Sequence, residues 1–359
     1  MLKKQFEELV ESDRFSMPAL ARAVWPSVEV IPGIKEVVPS LKAKLGDQYS
    51  SLVNAILRQV FLIELVKVPK IETTKFRIRW FEQLVGDPRH CDFPECVEIA
   101  TELLQALAGG WLDAKDNAEL LQLCFEHSVL PYEVPLDYHD RPLNQPKVRI
   151  HRKGNLRWFS TPTMLRTLKL RKYLTEEATS PDAKFFRTLL EDKIKVKTYL
   201  TDRVLTGEHK TNREKRWEVH PNSVHFANRQ TCMAIEHTLV QQLCAFEGFP
   251  ERSREMLQKS GILPAELPVF RCPITLDPMS FKAFHEQLVN PKHGKSDFQV
   301  GHLNPLKLDD PGATASGHSP ENISWVSADG NRIQGSLGLV EVRRILKRVA
   351  ANYEARGWT

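Results

Sequence analysis

Three side chains near the end of the chain, His302, Asn322 and Asn331, are of types that could together hydrolyse a phosphodiester bond. That reaction needs a base to take a proton from attacking water. It also needs a divalent cation to offset charge building on the phosphate and leaving oxygen, and a scaffold that fixes both. A neutral imidazole suits the base role because its unperturbed pKa lies near working pH. An amide or carboxylate oxygen suits a hard cation such as Mg²⁺, which keeps most of its own waters. Asn322 lies twenty residues after His302, and Asn331 nine residues after Asn322.

The elements around these residues read as strand, long loop, strand and helix. From Val269 onward β-branched and aromatic residues are punctuated by proline, and DFQVGHLNPLK and ENISWVS read as two short strands. His302 ends the first strand and Asn322 opens the second. The intervening KLDDPGATASGHSP is rich in Gly, Pro, Asp and Ser, as a loop is. ADGNRIQGSLGLVEVRRILKRVAANYEA then reads as one long helix with Ser327 or Asp329 as N-cap. Ile333, Leu337, Val340, Leu346 and Val349 fall near one face of it. Two antiparallel strands crossed by that helix would bring residues 302 and 331 together over one phosphate.

The segment VGHLNPLK…ENISWVSADGN resembles the ββα-metal fold of His-Asn-His (HNH) endonucleases, over residues 270–350. The resemblance implies His302 as general base, Asn322 as the residue that braces the base's loop, and Asn331 as the terminal metal ligand. It implies Mg²⁺ or another divalent cation such as Mn²⁺ as cofactor. Many HNH enzymes carry Asp or His just before the base as a second ligand, whereas this chain has Gly301. Gly-His-Leu is similar to the branch typified by non-specific DNA/RNA endonucleases, which holds its metal through one Asn plus waters. Asn331 is therefore expected to be the main protein ligand, with Gln334 as an outer-shell partner and Asp297 as a weaker ligand candidate. His318 could bind phosphate or help the metal, but is expected as a solvated loop residue. Arg332 is expected to clamp the scissile phosphate, and Arg343 and Arg344 to touch DNA backbone or solvent.

Upstream, the sequence supplies charge and bulk. The chain has 359 residues, room for two or three domains, and 50 Lys and Arg against 45 Asp and Glu. The stretches 51–69, 96–112 and 118–130 have helical periodicity, 131–150 is a Pro-rich linker or arm, and 181–206 and 222–260 look helical. The fold class expected is α+β: mostly helical N-terminal and middle regions followed by a C-terminal ββα-metal module. The expected domains are 1–135, helical, for DNA recognition or dimerisation; 136–265, basic and DNA-binding; and 266–359, catalytic. Residues 147–173 hold nine Lys or Arg and no acid. Because solvated faces usually mix signs, this run reads as a duplex-binding surface acting through phosphates. Its candidates are Arg149, Arg152, Lys153 and Arg157, interleaved with Trp158 and Phe159, and Lys210 and Arg213 lie in a second cluster.

Six cysteines are present and none stands in a CxxC pair. Cys91, Cys96, Cys124 and His127 could hold structural zinc, but their long spacing and the apolar run around Cys124 favour buried free thiols. Cys272 reads as core. No apolar run approaches the ~18 residues of a membrane span, and the charged N-terminus has no signal-like core, so reduced thiols in a cytoplasm are expected. Some 270 residues precede the catalytic segment, and no ATP-binding or methyltransferase motif is seen. The reading is a self-contained, site-specific endonuclease on double-stranded DNA, a type II restriction enzyme, expected to act as a homodimer. Two alternatives are an anti-phage defence nuclease or toxin without site specificity, and a non-catalytic DNA-binding protein with a degenerate ββα fold, for which Gly301 is the relevant feature.

Overall fold

The computed structural model of the chain describes residues 1–12, 15–64, 76–82, 89–133, 156–176, 179–192, 227, 229–290, 296–305 and 318–358. The class is α+β, helix-rich with small antiparallel sheets. Backbone contacts divide the chain into two compact units, Met1–Leu168 with Val196–Gln230, and Lys169–Lys195 with Thr231–Thr359.

The first unit opens with helices α1 (Leu2–Val10), α2 (Met17–Val28), α3 (Val38–Leu45) and α4 (Tyr49–Ile56). The apolar run 51–69, read as one helix, does not stay helical. It passes through a π turn at Leu57–Phe61 into strand β1 (Leu62–Glu64), which pairs antiparallel with β2 (Phe76–Ile78). The pairing partner lies more than ten residues downstream, beyond the reach of local periodicity. Helix α5 (Phe93–Ala108) starts on a reciprocal capping box between Asp92 and Glu95. Helix α6 (Lys115–Glu126) and a short pair of strands, β3 (Tyr132–Glu133) and β4 (Arg157–Trp158), follow. Their shared core is aromatic: the rings of Phe6 and Phe61 stack at 4.9 Å, and Trp80 meets Phe93 edge-on at 4.9 Å.

Helix α7 (Thr161–Glu176) runs from the first unit into the second. The second unit contains α8 (Pro181–Asp192), α9 (Arg229–Cys244), α10 (Glu251–Lys259) and α11 (Phe281–Val289), then strands β5 (Phe298–His302) and β6 (Ile323–Ser327). The strands pair antiparallel from Phe298 opposite Ser327 to His302 opposite Ile323. Trp325, 1% exposed, fastens β6 to α9: its indole N–H donates to the Leu239 carbonyl at 2.9 Å, and its backbone N–H donates to Gln242 Oε1 at 3.0 Å. Phe284 packs on both Trp325 and Phe298 at ring separations of 5.2 and 5.3 Å, so one aromatic cluster holds both strands. Removing a buried aromatic of this kind costs about 3–5 kcal/mol.

The helix expected after β6 is two helices, α12 (Ala328–Gln334) and α13 (Leu339–Ala355). Gly335, at φ +54°, ends the first in a left-handed conformation that side chains disfavour. The expected apolar face is largely in solvent, with Ile333 46% and Val340 76% exposed, while Gln334 and Val342 are buried. Ser327 is the N-cap of α12, its Oγ accepting the Gly330 N–H at 3.0 Å.

Candidate active site

The end of the β5–β6 ladder fixes the chain on either side of His302. Asn322 sits one residue beyond the last pair, and its carbonyl accepts the Leu303 N–H at 2.8 Å. Its side chain adds a two-way clasp: Oδ1 accepts the Asn304 N–H at 2.7 Å, and Nδ2 donates to the Asn304 carbonyl at 3.0 Å. Asn322 is 2% exposed, so water does not compete for these bonds. The side chain acts as an extra rung of sheet that holds the backbone leaving His302.

Helix α12 crosses the other side of β5. Asn331 Nδ2 donates to Gln299 Oε1 at 2.7 Å. Gln299 is itself an amide, so this contact holds the Asn331 side chain in place through one amide–amide hydrogen bond. The oxygen turns toward Gly301: a Cβ built there would stand 3.5 Å from Asn331 Oδ1 and 3.0 Å from Val326 Cγ2. Gln299 and Gly301 share a strand face because side chains alternate along β5. The structure thus brings Asn331 against the residue just before His302. The His302 ring, half-buried, stacks on that of His318 at 5.1 Å and 21°. His318, expected as a solvated loop residue, is instead half-buried against the candidate base.

Gln334, expected as an outer-shell metal partner, is occupied through its amide nitrogen by backbone carbonyls. It is 2% exposed, and Nε2 lies 3.0 Å from the His302 carbonyl, 2.9 Å from that of Leu303 and 3.1 Å from that of Leu337. Its amide nitrogen is committed to backbone. Asp297, the weaker ligand candidate, is exposed and hydrogen-bonded through its backbone N–H and carboxylate to Gln287 of α11. Arg332 is exposed and pairs with Asp329 at 3.0 Å. Arg343 is exposed, and its Nε and a terminal nitrogen donate to the Pro273 carbonyl at 3.0 and 2.7 Å.

Beneath α12 lies Cys272. Ser327 donates to its Sγ through the backbone N–H at 3.4 Å and the hydroxyl at 3.3 Å. A Cβ at Gly330 would come within 2.8 Å of the same sulfur, so only glycine lets the helix sit this close. Burial pushes the thiol up, but hydrogen bonds from Ser327 and Thr275 more than offset it, and Cys272 titrates below its ordinary value. Cys272 is core, as expected, and it is also the acceptor on which the start of α12 rests.

Of the residues expected to touch DNA, Arg149, Arg152, Lys153, Lys210 and Arg213 lie outside the described residues. Arg157 is exposed on β4. Trp158 beside it is half-buried, packed on Trp111 at 5.1 Å against the core of the first unit. The acid-free run 147–173 finds acids elsewhere in the chain: Arg171 pairs at 2.9 Å with Glu236 of α9, which is 1% exposed. Cys91, Cys96 and Cys124 are buried thiols, and burial pushes that of Cys124 up, which works against a thiolate ligand. Among the described residues no three His, Cys, Asp or Glu side chains stand together as a metal site. No described helix is long and apolar enough to cross a membrane.

Sequence reasoning missed Gln299, the backbone role of Gln334 and the acceptor role of Cys272. For Gln299 the signal was its place two residues before Gly301 on one strand face. For Gln334 it was its place one turn after Asn331. No family model matches the chain, and no curated protein matches it. A crystal structure of a type II restriction endonuclease superposes on 51% of this chain and 82% of its own, at 15% identity and a TM-score of 0.32. A likeness that weak carries no argument, so the case for function rests on the geometry above.

Proposed function

We propose that the β5–β6–α12 segment is the catalytic centre of a divalent-cation-dependent endonuclease of the HNH type, cutting double-stranded DNA at specific sites as a type II restriction enzyme does. The observation that supports this reading is that one hairpin and the helix after it carry three parts, with Asn331 against Gly301, the residue just before His302. The parts are an imidazole at the strand end, a buried Asn322 clasping the chain beside it, and an Asn331 amide over Gly301.

In this reading His302 takes the proton of a water as its oxygen forms the new bond to phosphorus. The bond from phosphorus to the leaving oxygen then breaks. Asn322 keeps the His302 backbone from drifting during that step. Asn331 Oδ1, a hard oxygen donor on a side chain held by Gln299, fits a cation that keeps most of its waters. Mg²⁺ or Mn²⁺ held there would offset charge on the phosphate. Exposed Arg332, and the basic residues Arg149, Arg152, Lys153, Arg157, Lys210 and Arg213, supply phosphate contacts. A homodimer would give one centre to each strand of a palindromic site.

The test is digestion of supercoiled plasmid with Mg²⁺, with and without EDTA, beside the His302→Ala variant. Discrete fragments that need the metal and His302 support the reading. A smear points to a nuclease without site specificity, and activity retained by His302→Ala removes the base assignment.

A further inference from the structure

We infer that Gln334 is a positioning residue that sets the His302 base against the helix bearing Asn331. The inference rests on the nuclease reading above and extends it to a side chain that touches neither water nor phosphate. Gln334 is the last residue of α12, one turn after Asn331, so the two move as one body with the helix. Its Nε2 has two protons and lies within 3.1 Å of three carbonyls, those of His302, Leu303 and Leu337. Two of these belong to the base and the residue after it. The third belongs to the turn that follows α12. One proton must therefore be shared, and rotating the amide away would take from these carbonyls a donor that is itself 2% exposed.

The same two residues, His302 and Leu303, are followed by Asn304, which Asn322 clasps from β6. The backbone at the base is thus gripped from two sides. Asn322 ties it to the second strand, and Gln334 ties it to the helix. Of the two, only Gln334 links the base to the element that carries Asn331. Misplacing a reacting group by about 1 Å can cost on the order of 100-fold in rate. Gln334→Met keeps the length and volume but removes the donor.

The experiment compares full-length wild type, His302→Ala, Gln334→Met and Gln334→Asn. Gln334→Asn retains an amide but is one methylene shorter, and it keeps the question open if the methionine variant does not fold. Single-turnover cleavage of plasmid DNA with Mg²⁺ is measured beside DNA affinity without metal. The ¹⁵N-histidine ring signals are recorded as well, with that of His302 assigned by its loss in His302→Ala. The expected result is a rate lowered about 10- to 100-fold at unchanged DNA affinity, with the His302 ring signal displaced and those of His237 and His285 unmoved. A folded Gln334 variant that cuts at the wild-type rate overturns the inference, as does one whose His302 signal stays in place. A wild-type chain that does not cut, or a His302→Ala variant that does, overturns the nuclease reading first and this inference with it.

Discussion

Replacing Asn322 by alanine tests whether the chain beside the base is held by side-chain hydrogen bonds. The substitution removes both halves of the clasp on Asn304 but leaves the backbone bond from Leu303 N–H to the residue-322 carbonyl. Each lost bond is worth about 0.5–1.5 kcal/mol net, and stranding the Asn304 N–H adds to the loss, so local opening should become easier by about 2–3 kcal/mol. At room temperature that is about a 30- to 150-fold loss of protection from hydrogen exchange at residues 303 and 304. Hydrogen exchange read by mass spectrometry on peptides covering 298–305 measures it directly, with peptides from α9 as the internal standard. Asn322→Asp refines the test. Its carboxylate still accepts from Asn304 N–H, but it sets an oxygen against the Asn304 carbonyl until it is protonated. Protection should therefore be partly regained as the pH falls. The reasoning fails if Asn322→Ala leaves residues 303–304 as protected as before. It also fails if exchange rises equally along α9, because the effect would then be global unfolding and not release of one loop.

Three other outcomes follow from the same geometry. Asn331→Ala should abolish cleavage at low Mg²⁺ and leave DNA affinity intact, with partial recovery at high Mn²⁺; a metal titration of the cleavage rate reads this, and an unchanged metal requirement would remove Asn331 as a ligand. Gly301→Ala should destabilise the second unit by about 1–2 kcal/mol in denaturant melts, because the new methyl meets Val326, which is 0% exposed and cannot yield; a neutral or stabilising result would contradict the packing. The Cys272 thiol is depressed in the folded state, so its contribution to stability is complete above the unfolded value of about 8.5 and is lost as pH falls through the lower folded value. Wild type should therefore gain stability over Cys272→Ala as the pH is raised toward that limit, and parallel pH–stability curves for the two would refute the thiolate's role.

What the sequence disclosed about this region was local. The strand and helix order around His302, Asn322 and Asn331, and the cap at Ser327, follow from periodicity and capping chemistry within a few residues. What it hid depends on distant partners. The turn of the 51–69 run into β1 depends on Phe76–Ile78. The counter-ion of Arg171 in the basic run, Glu236, lies sixty-five residues away. The break between α12 and α13 was visible at Gly335 but was outvoted by an apolar pattern that the structure leaves in solvent. A search for hydrophobic faces also cannot find a buried glutamine that serves backbone carbonyls.

Helix α12 is seven residues long, and its buried residues are Ala328, Gly330 and Gln334. Two of these have almost no side chain, and the third is polar, so apolar burial contributes little to holding the helix in place. Its position is set by polar contacts: Ser327 on the Cys272 sulfur, Asn331 on Gln299, and Gln334 on the carbonyls around His302. Apolar packing tolerates small slides, whereas a hydrogen bond weakens steeply with distance and angle. A helix tethered in this way keeps a narrow spacing between its amide oxygen and the strand that ends in the base. Loss of any one tether should therefore lower turnover more than it lowers stability, the reverse of what removal of Trp325 would do.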